Sequence, residues 1–121
     1  MEFRTRKMIQ PADLNAHNTL FGGQMLRWID EEAAIYATCQ LGTSWVVTKF
    51  ISEVNFVSPA RQGDVVEIGM DVVKIGNTSI TLRCEVRNKN TKRTIVAIER
   101  IVFVSVNEEG RPVKHGKNTC I

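Results

Sequence analysis

Apolar residues recur at helical spacing in one stretch of this chain. Met25, Leu26, Ile29, Ala33, Ala34, Tyr36 and Ala37 return every three or four positions and predict a helix of roughly four turns. Downstream the period becomes two. In Ser79 to Arg87, Ile80, Leu82, Cys84 and Val86 alternate with Ser79, Thr81, Arg83, Glu85 and Arg87, the pattern of a half-buried strand. Asp64 to Ile75 behaves alike, with Val66, Ile68, Met70 and Val72 on one face. Trp45 to Val57 and Thr94 to Val106 are longer β-rich runs whose second faces are also partly apolar, so both sheet surfaces are expected to be covered. A short strand is expected near Phe3 to Ile9. The links SPARQGD (Ser58 to Asp64), IGNT (Ile75 to Thr78) and NKNTK (Asn88 to Lys92) are turn sequences. Hairpin links imply antiparallel pairing, and one helix against one such sheet is an α+β architecture. Residues 107–121 read as an irregular tail.

Bulk properties narrow the function classes. At 121 residues the chain is one domain with enough surface to bury for a single core. Its 43% hydrophobic and 24% charged composition is that of a soluble globular protein. No apolar run approaches the ~20 residues of a spanning helix. The opening MEFRTRKMIQ lacks the apolar core of a secretory signal, so the expected location is the cytoplasm. Cys39, Cys84 and Cys120 contain no C-x-x-C pair, which suggests neither a disulfide framework nor a zinc site. Cys39 and Cys84 fall on apolar faces and are expected in the core as reduced thiols. The net charge of +3 is mild, and much of it sits in Lys89, Lys92 and Arg93 and in Arg111, Lys114 and Lys117. Such clusters are ordinarily solvated loops; the alternative is contact with the phosphates of a nucleotide-bearing ligand. No base-stacking or recognition-helix pattern accompanies them, which speaks against nucleic acid as a partner.

The chemistry gathers between Asn15 and Glu32. Gly22 and Gly23 precede the helix and let the backbone turn tightly and approach a ligand, because they lack Cβ. Unpaired amides at a helix start attract negative charge, so this point can hold a developing oxyanion. Asp30 follows on the same helix among apolar neighbours. One reading makes Asp30, Glu31 and Glu32 an exposed acidic stripe; the other makes Asp30 a working carboxylate. Gly23 and Asp30 are seven residues apart, nearly on one face but about 10 Å apart along the axis. If both act on one carbonyl, the simplest arrangement is a dimer in which Asp30 of one subunit faces the Gly23 amide of the other. Asn15 is the third candidate, its amide able to hold a water or a carbonyl, against the plainer role of a turn residue. His17 is a candidate base in the same loop, ranked below Asp30. Phe21 reads as packing under the loop. No serine nucleophile elbow, phosphate-binding loop or metal-ligand cluster competes.

In NAHNTLFGGQMLRWIDEEAAIYA (Asn15 to Ala37), FVSPARQGD (Phe56 to Asp64) and KIGNTSITLRCEV (Lys74 to Val86) the chain resembles the hotdog-fold acyl-CoA thioesterases. Within them it is most similar to the bacterial acyl-CoA hydrolases related to the mammalian cytosolic and brown-fat enzymes. The resemblance implies a long central helix wrapped by a five-stranded antiparallel sheet, in double-hotdog dimers often assembled into hexamers. By position it makes Asn15 and Asp30 the catalytic pair and Gly23 the amide that binds the thioester oxygen. It also lays Gly76, Thr78 and Ser79 along coenzyme A and sets Phe21 and Gly22 at the substrate. Asn18 departs from the pattern, standing where many relatives have glycine.

The expected reaction is hydrolysis of an acyl-CoA thioester to a free fatty acid and coenzyme A, with coenzyme A as part of the substrate and no metal or other cofactor. Asp30 either activates a water or attacks the carbonyl itself. Arg61 and Arg83 are candidates to meet the nucleotide phosphates. Two other readings are a hotdog dehydratase of 3-hydroxyacyl thioesters that uses His17 with an acid, and a non-catalytic acyl-CoA-binding module. The dehydratase lacks the glycine- and proline-rich histidine segment it would need. Intact Asn15 and Asp30 argue against the binding module.

Overall fold

The computed structural model describes residues 1–43 and 45–117. It contains one long helix, α1 (Gly22–Leu41), and six strands: β1 (Glu2–Met8), β2 (Val46–Ile51), β3 (Val54–Phe56), β4 (Val65–Ile75), β5 (Ser79–Asn88) and β6 (Thr94–Ser105). All pair antiparallel in the order β1-β4-β5-β6-β2, with β3 also on β6. This is the expected α+β hotdog arrangement.

The helix outruns its apolar signal. It holds 20 residues, more than five turns, and stops at Gly42, whose φ of 69° lets its N–H cap the Thr38 carbonyl. Met25, Ile29, Ala33, Ala37 and Leu41 form an i, i+4 stripe buried against Ile68, Met70, Ile80, Leu82, Ile98 and Phe103 of the sheet. Each fully buried Ile, Leu or Met side chain contributes about 1.5–3 kcal/mol. Cys39 lies off this stripe and is exposed, contrary to the core position expected for it; Cys84 is buried as expected. Cys120 lies outside the described residues.

The sheet has six strands rather than five because the run from Trp45 to Val57 divides. Ile51 pairs with Ile101 and Val54 with Ile98, and Ser52 and Glu53 between them face a bulge at Glu99 and Arg100 of β6. The same bulge shifts the register of β5, where Leu82 pairs with Ile101 and Cys84 with Ile98. Two features went unforeseen. A short 3-10 turn, Pro11–Asp13, follows β1. As far as Lys117 the tail is irregular but docked, with Val113 N–H on the Ser105 carbonyl and His115 N–H on that of Asn77; residues 118–121 of it lie outside the described residues.

The outer sheet face is covered, as expected, by charge as much as by apolar groups. Glu67, 2% exposed, is held by Arg6, Arg87 and Lys92. The Arg87 hydrogen bond depresses its carboxyl below the usual range, against the opposing effect of burial. The strand β2 closes the sheet at one side with its outer edge unpaired, and Val47, Phe50 and Ile51 on it are exposed, as are Phe56 and Val57 on the β3 side.

Candidate active site

The chain from Asp13 to Phe21 folds back on itself. Leu14 bridges Leu20, and Asn15 N–H reaches the Thr19 carbonyl at 2.8 Å. At the tip Asn18 takes φ 61°, a left-handed conformation that asparagine tolerates. Asn15 Oδ1 accepts N–H groups of His17 (2.8 Å) and Thr19 (3.2 Å), while its Nδ2 donates to Thr19 Oγ1 at 3.0 Å. Its turn-forming role is thus real. It coexists with a second position, because Asn15 also lines a cavity.

That cavity, of about 410 Å³, is lined by Asn15, Thr19, Gly22, Met25 and Phe56 among others. The rest of its wall is largely apolar, from Leu20, Val57, Pro59, Ala60, Ile95 and Val96. Ser58 Oγ donates to the Thr94 carbonyl at 2.6 Å and so presents little free polarity. A long apolar crevice with few polar groups at its mouth suits an acyl chain ending in a polar, reactive head.

The glycine pair is not the turn it resembled in sequence. Gly22 and Gly23 are the first two residues of α1, after Phe21 as N-cap. Glycine supplies room here. A Cβ on Gly22 would lie 3.4 Å from Phe56 Cζ, and one on Gly23 would lie 3.0 Å from Phe21 Cε1. Two aromatic rings therefore lie against the backbone whose first-turn amides have no intrahelical acceptor. Phe21 is 54% exposed, so it does not pack under the loop as expected.

Asp30 does not join Asn15 and Gly22 in the crevice. It is half-buried two turns along α1, where its Oδ1 accepts the Thr48 hydroxyl of β2 at 2.7 Å. Thr48 was missed in the sequence, because VVTKFI does not alternate and gives no signal for which face carries the hydroxyl. The remaining candidates scatter. Arg61 flanks the loop through its bridge to Thr19, with its N–H on Asp64 Oδ2. Arg83 is on the outer sheet face in a 2.8 Å pair with Asp71, away from the crevice. Burial raises the Asp71 carboxyl, but Arg83 and the N-terminal ammonium outweigh it and bring it below its usual value. Gly76, Thr78 and Ser79 form the β4–β5 turn, where Thr78 accepts the Ser105 N–H and Gly76 donates to Ser79. This turn adjoins the Ser105 end of β6 whereas the crevice adjoins Ile95 and Val96, about 30 Å away at 3.3 Å per residue. His17 is exposed, with no carboxylate paired to its ring among the described residues. Burial pushes the Cys84 thiol up to about 12, which removes it as a nucleophile. Among the described residues no group of three or more His, Cys, Asp and Glu is placed to hold a metal, and no helix is long and apolar enough to cross a membrane.

Known proteins share this fold. A Bacillus subtilis protein named an uncharacterized acyl-CoA thioester hydrolase, YkhA, is 33% identical over 108 residues, which cover 85% of this chain and 61% of that relative's length. A hexameric thioesterase from Yersinia pestis superposes with a TM-score of 0.85 at 30% identity over 93% of each chain. An acyl-CoA hydrolase from Staphylococcus aureus, solved with butyryl coenzyme A, coenzyme A and coenzyme A disulfide, gives 0.81 at 30% identity over 91% of this chain and 66% of that one. The Staphylococcus enzyme has also been solved with an asparagine, an aspartate or a threonine replaced by alanine. That asparagine and aspartate are separated by the same number of positions as Asn15 and Asp30, and the threonine follows the aspartate at one position less than Thr48 follows Asp30. Residues 17–95 match the family model of the thioesterase superfamily, and the chain belongs to that superfamily.

Proposed function

We propose that this protein hydrolyses acyl-CoA thioesters to a free fatty acid and coenzyme A, at two equivalent sites shared by the subunits of a homodimer. One observation carries the reading: the crevice holding Asn15 and the helix start lacks an acid, while Asp30 and Thr48 stand at the unpaired β2 edge. Pairing β2 with its copy about a twofold axis sets the helices antiparallel and brings Asp30 of one subunit toward the helix start of the other. The same operation carries the partner's β4–β5 turn toward the crevice, which answers the separation of Thr78 and Ser79 from it. The exposed Val47, Phe50 and Ile51 give this edge an apolar surface to bury. Three such dimers form the hexamer expected by analogy with the Yersinia protein.

The thioester oxygen accepts the Gly23 amide, a donor aligned with the helix dipole toward charge that grows only in the transition state. Removing one such donor typically costs about 3–4 kcal/mol in barrier. Asn15 orients the water or the carbonyl. Asp30 takes the proton of the attacking water as the C–O bond forms; the C–S bond then breaks. Alternatively the Asp30 carboxylate adds to the carbonyl, the C–S bond breaks to expel the thiolate, and water hydrolyses the mixed anhydride to the fatty acid and free Asp30. The departing thiolate, of an alkyl thiol near pKa 8.5, needs little acid assistance, so no metal or redox cofactor is called for. Phe21, Phe56 and Gly22 frame the reacting group, and Arg61, adjacent in sequence to the crevice-lining Ala60, is the candidate for the nucleotide phosphates. Free exposed Cys39 fits a reducing, cytoplasmic setting.

The test follows thiol release from a panel of acyl-CoAs. Release by the wild type that vanishes in Asp30→Ala supports hydrolysis; tight binding without release makes the chain a binding module. The shared site has a separate test. Mixed Asn15→Ala and Asp30→Ala subunits, each inactive alone, should recover part of the activity after subunit exchange. Verified exchange without recovery rules the shared site out.

A further inference from the structure

Asp13 is a buried carboxylate, 8% exposed, that the reaction above does not use. Its Oδ2 accepts the Gln10 N–H at 2.8 Å, and its Oδ1 accepts Gln24 Nε2 at 2.9 Å. Its own backbone carbonyl accepts the Phe21 N–H at 2.8 Å. The three bonds converge from three places: the end of β1, the first turn of α1, and the residue that caps α1. The next rung outward is the Leu14–Leu20 bridge, and the next is Asn15 with Thr19. Residues 13–21 are thus a small hairpin with Asn15 on one arm and, just past the other arm, Gly22 and Gly23. Asp13 closes its open end.

From this geometry, and resting on the hydrolase reading, we infer that Asp13 is a positioning residue: with Gln24 it fixes Asn15 relative to the helix-start amide that polarises the thioester. The carboxylate accepts from both groups that meet its side chain, and alanine at position 13 would leave both donors without an acceptor. The charge also sits beside the first turn of α1, where the helix dipole favours it. Small displacements of positioned groups are costly to catalysis: a shift of about 1 Å can lower the rate on the order of a hundredfold.

The pair permits a swap. In Asp13→Asn with Gln24→Glu, the residue 13 carbonyl still accepts the Gln10 N–H. Its amide now donates to the carboxylate at position 24, which keeps the negative charge in the first turn. Asp13→Ala alone, which removes both side-chain acceptors, should lower kcat at least about tenfold, with KM moved less than about threefold and a lowered melting temperature. Gln24→Glu alone should do the same, by setting two carboxylates together. The double variant Asp13→Asn with Gln24→Glu should recover kcat to within about threefold of the wild type. A folded Asp13→Ala protein with wild-type kcat overturns the inference. So does a double variant that regains the wild-type melting temperature but not the rate, and this comparison stands even if the single variants fail to fold. A wild type that releases no thiol overturns the hydrolase reading and the inference with it. An active wild type with an indifferent Asp13→Ala overturns the inference alone.

Discussion

The hydrogen bond from Thr48 to Asp30 makes a quantitative demand on catalysis. At 2.7 Å it is short, as a hydroxyl donating to a carboxylate should be. Bonds to charged groups contribute about 1.5–3 kcal/mol net. This one lies at an open edge in a single protomer, where water competes, so the lower end applies: about 1.5 kcal/mol, or roughly tenfold in rate if the bond is fully expressed in the transition state. Thr48→Val removes the hydroxyl and keeps the shape. It should lower kcat by about tenfold and leave KM unchanged, because Thr48 touches the acid rather than the substrate. Thr48→Ser keeps a donor and should stay within about threefold of the wild type. Any loss of stability should stay at or below the same ~1.5 kcal/mol, because Thr48 is exposed in the protomer. Asp30→Ala sets the scale, with a loss on the order of a hundred- to ten-thousandfold for a general base. Steady-state kinetics on one acyl-CoA with all four proteins decides the matter. A Thr48→Val enzyme with undiminished kcat, or a Thr48→Ser enzyme as slow as Thr48→Val, would show that the bond does not orient the acid.

Three further outcomes concern the scaffold. Glu67→Gln should cost about 1–3 kcal/mol of stability at neutral pH, read by denaturant titration. Because the folded carboxyl titrates below its ordinary 4.5, that gap should be complete above 4.5 and close as pH falls through the depressed value; a gap that widens in acid would contradict the ion-pair account. Gly69→Ala places a Cβ within 2.7–2.8 Å of three Phe3 ring atoms, and the Arg87 guanidinium lies 3.6 Å from the ring centroid. The expected overpacking cost is about 1–3 kcal/mol, with kcat of the folded protein unchanged; equal stability would mean that the ring moves freely. Iodoacetamide at neutral pH, followed by peptide mapping, should label Cys39 and spare Cys84 until the protein unfolds, given a Cys84 thiol raised to about 12.

Much of the fold was legible because its signals are periodic. The alternation of Ile80, Leu82, Cys84 and Val86 marks β5, and the stripe from Met25 to Ala37 marks α1. Both patterns report the same event, one face leaving water. Legibility failed where a neighbouring element decides the outcome. Ser52 and Glu53 carry no break signal of their own; the interruption there is the shadow of a bulge at Glu99 and Arg100 on the strand beside them. Cys39 was assigned to the core because it falls on an apolar face of the pattern, yet it lies off the buried stripe of α1 and is exposed.

The site divides along the same line. Asn15, Gly22 and the turn between them are local, and the spacing that puts them in one loop is written in consecutive residues. Asp30 is different, because a position on a helix face says only which direction a side chain leaves the axis. Whether that direction ends in water, in the core or against a ligand depends on what borders it, and here the border is β2, the strand with an unpaired edge. The carboxylate therefore stands beside an edge strand, where the proposed shared site needs it. Period and propensity act within a chain, so they could nominate Asp30 but not place it. The hydroxyl of Thr48, fixed by strand pairing rather than by helix spacing, is what holds the acid at that edge.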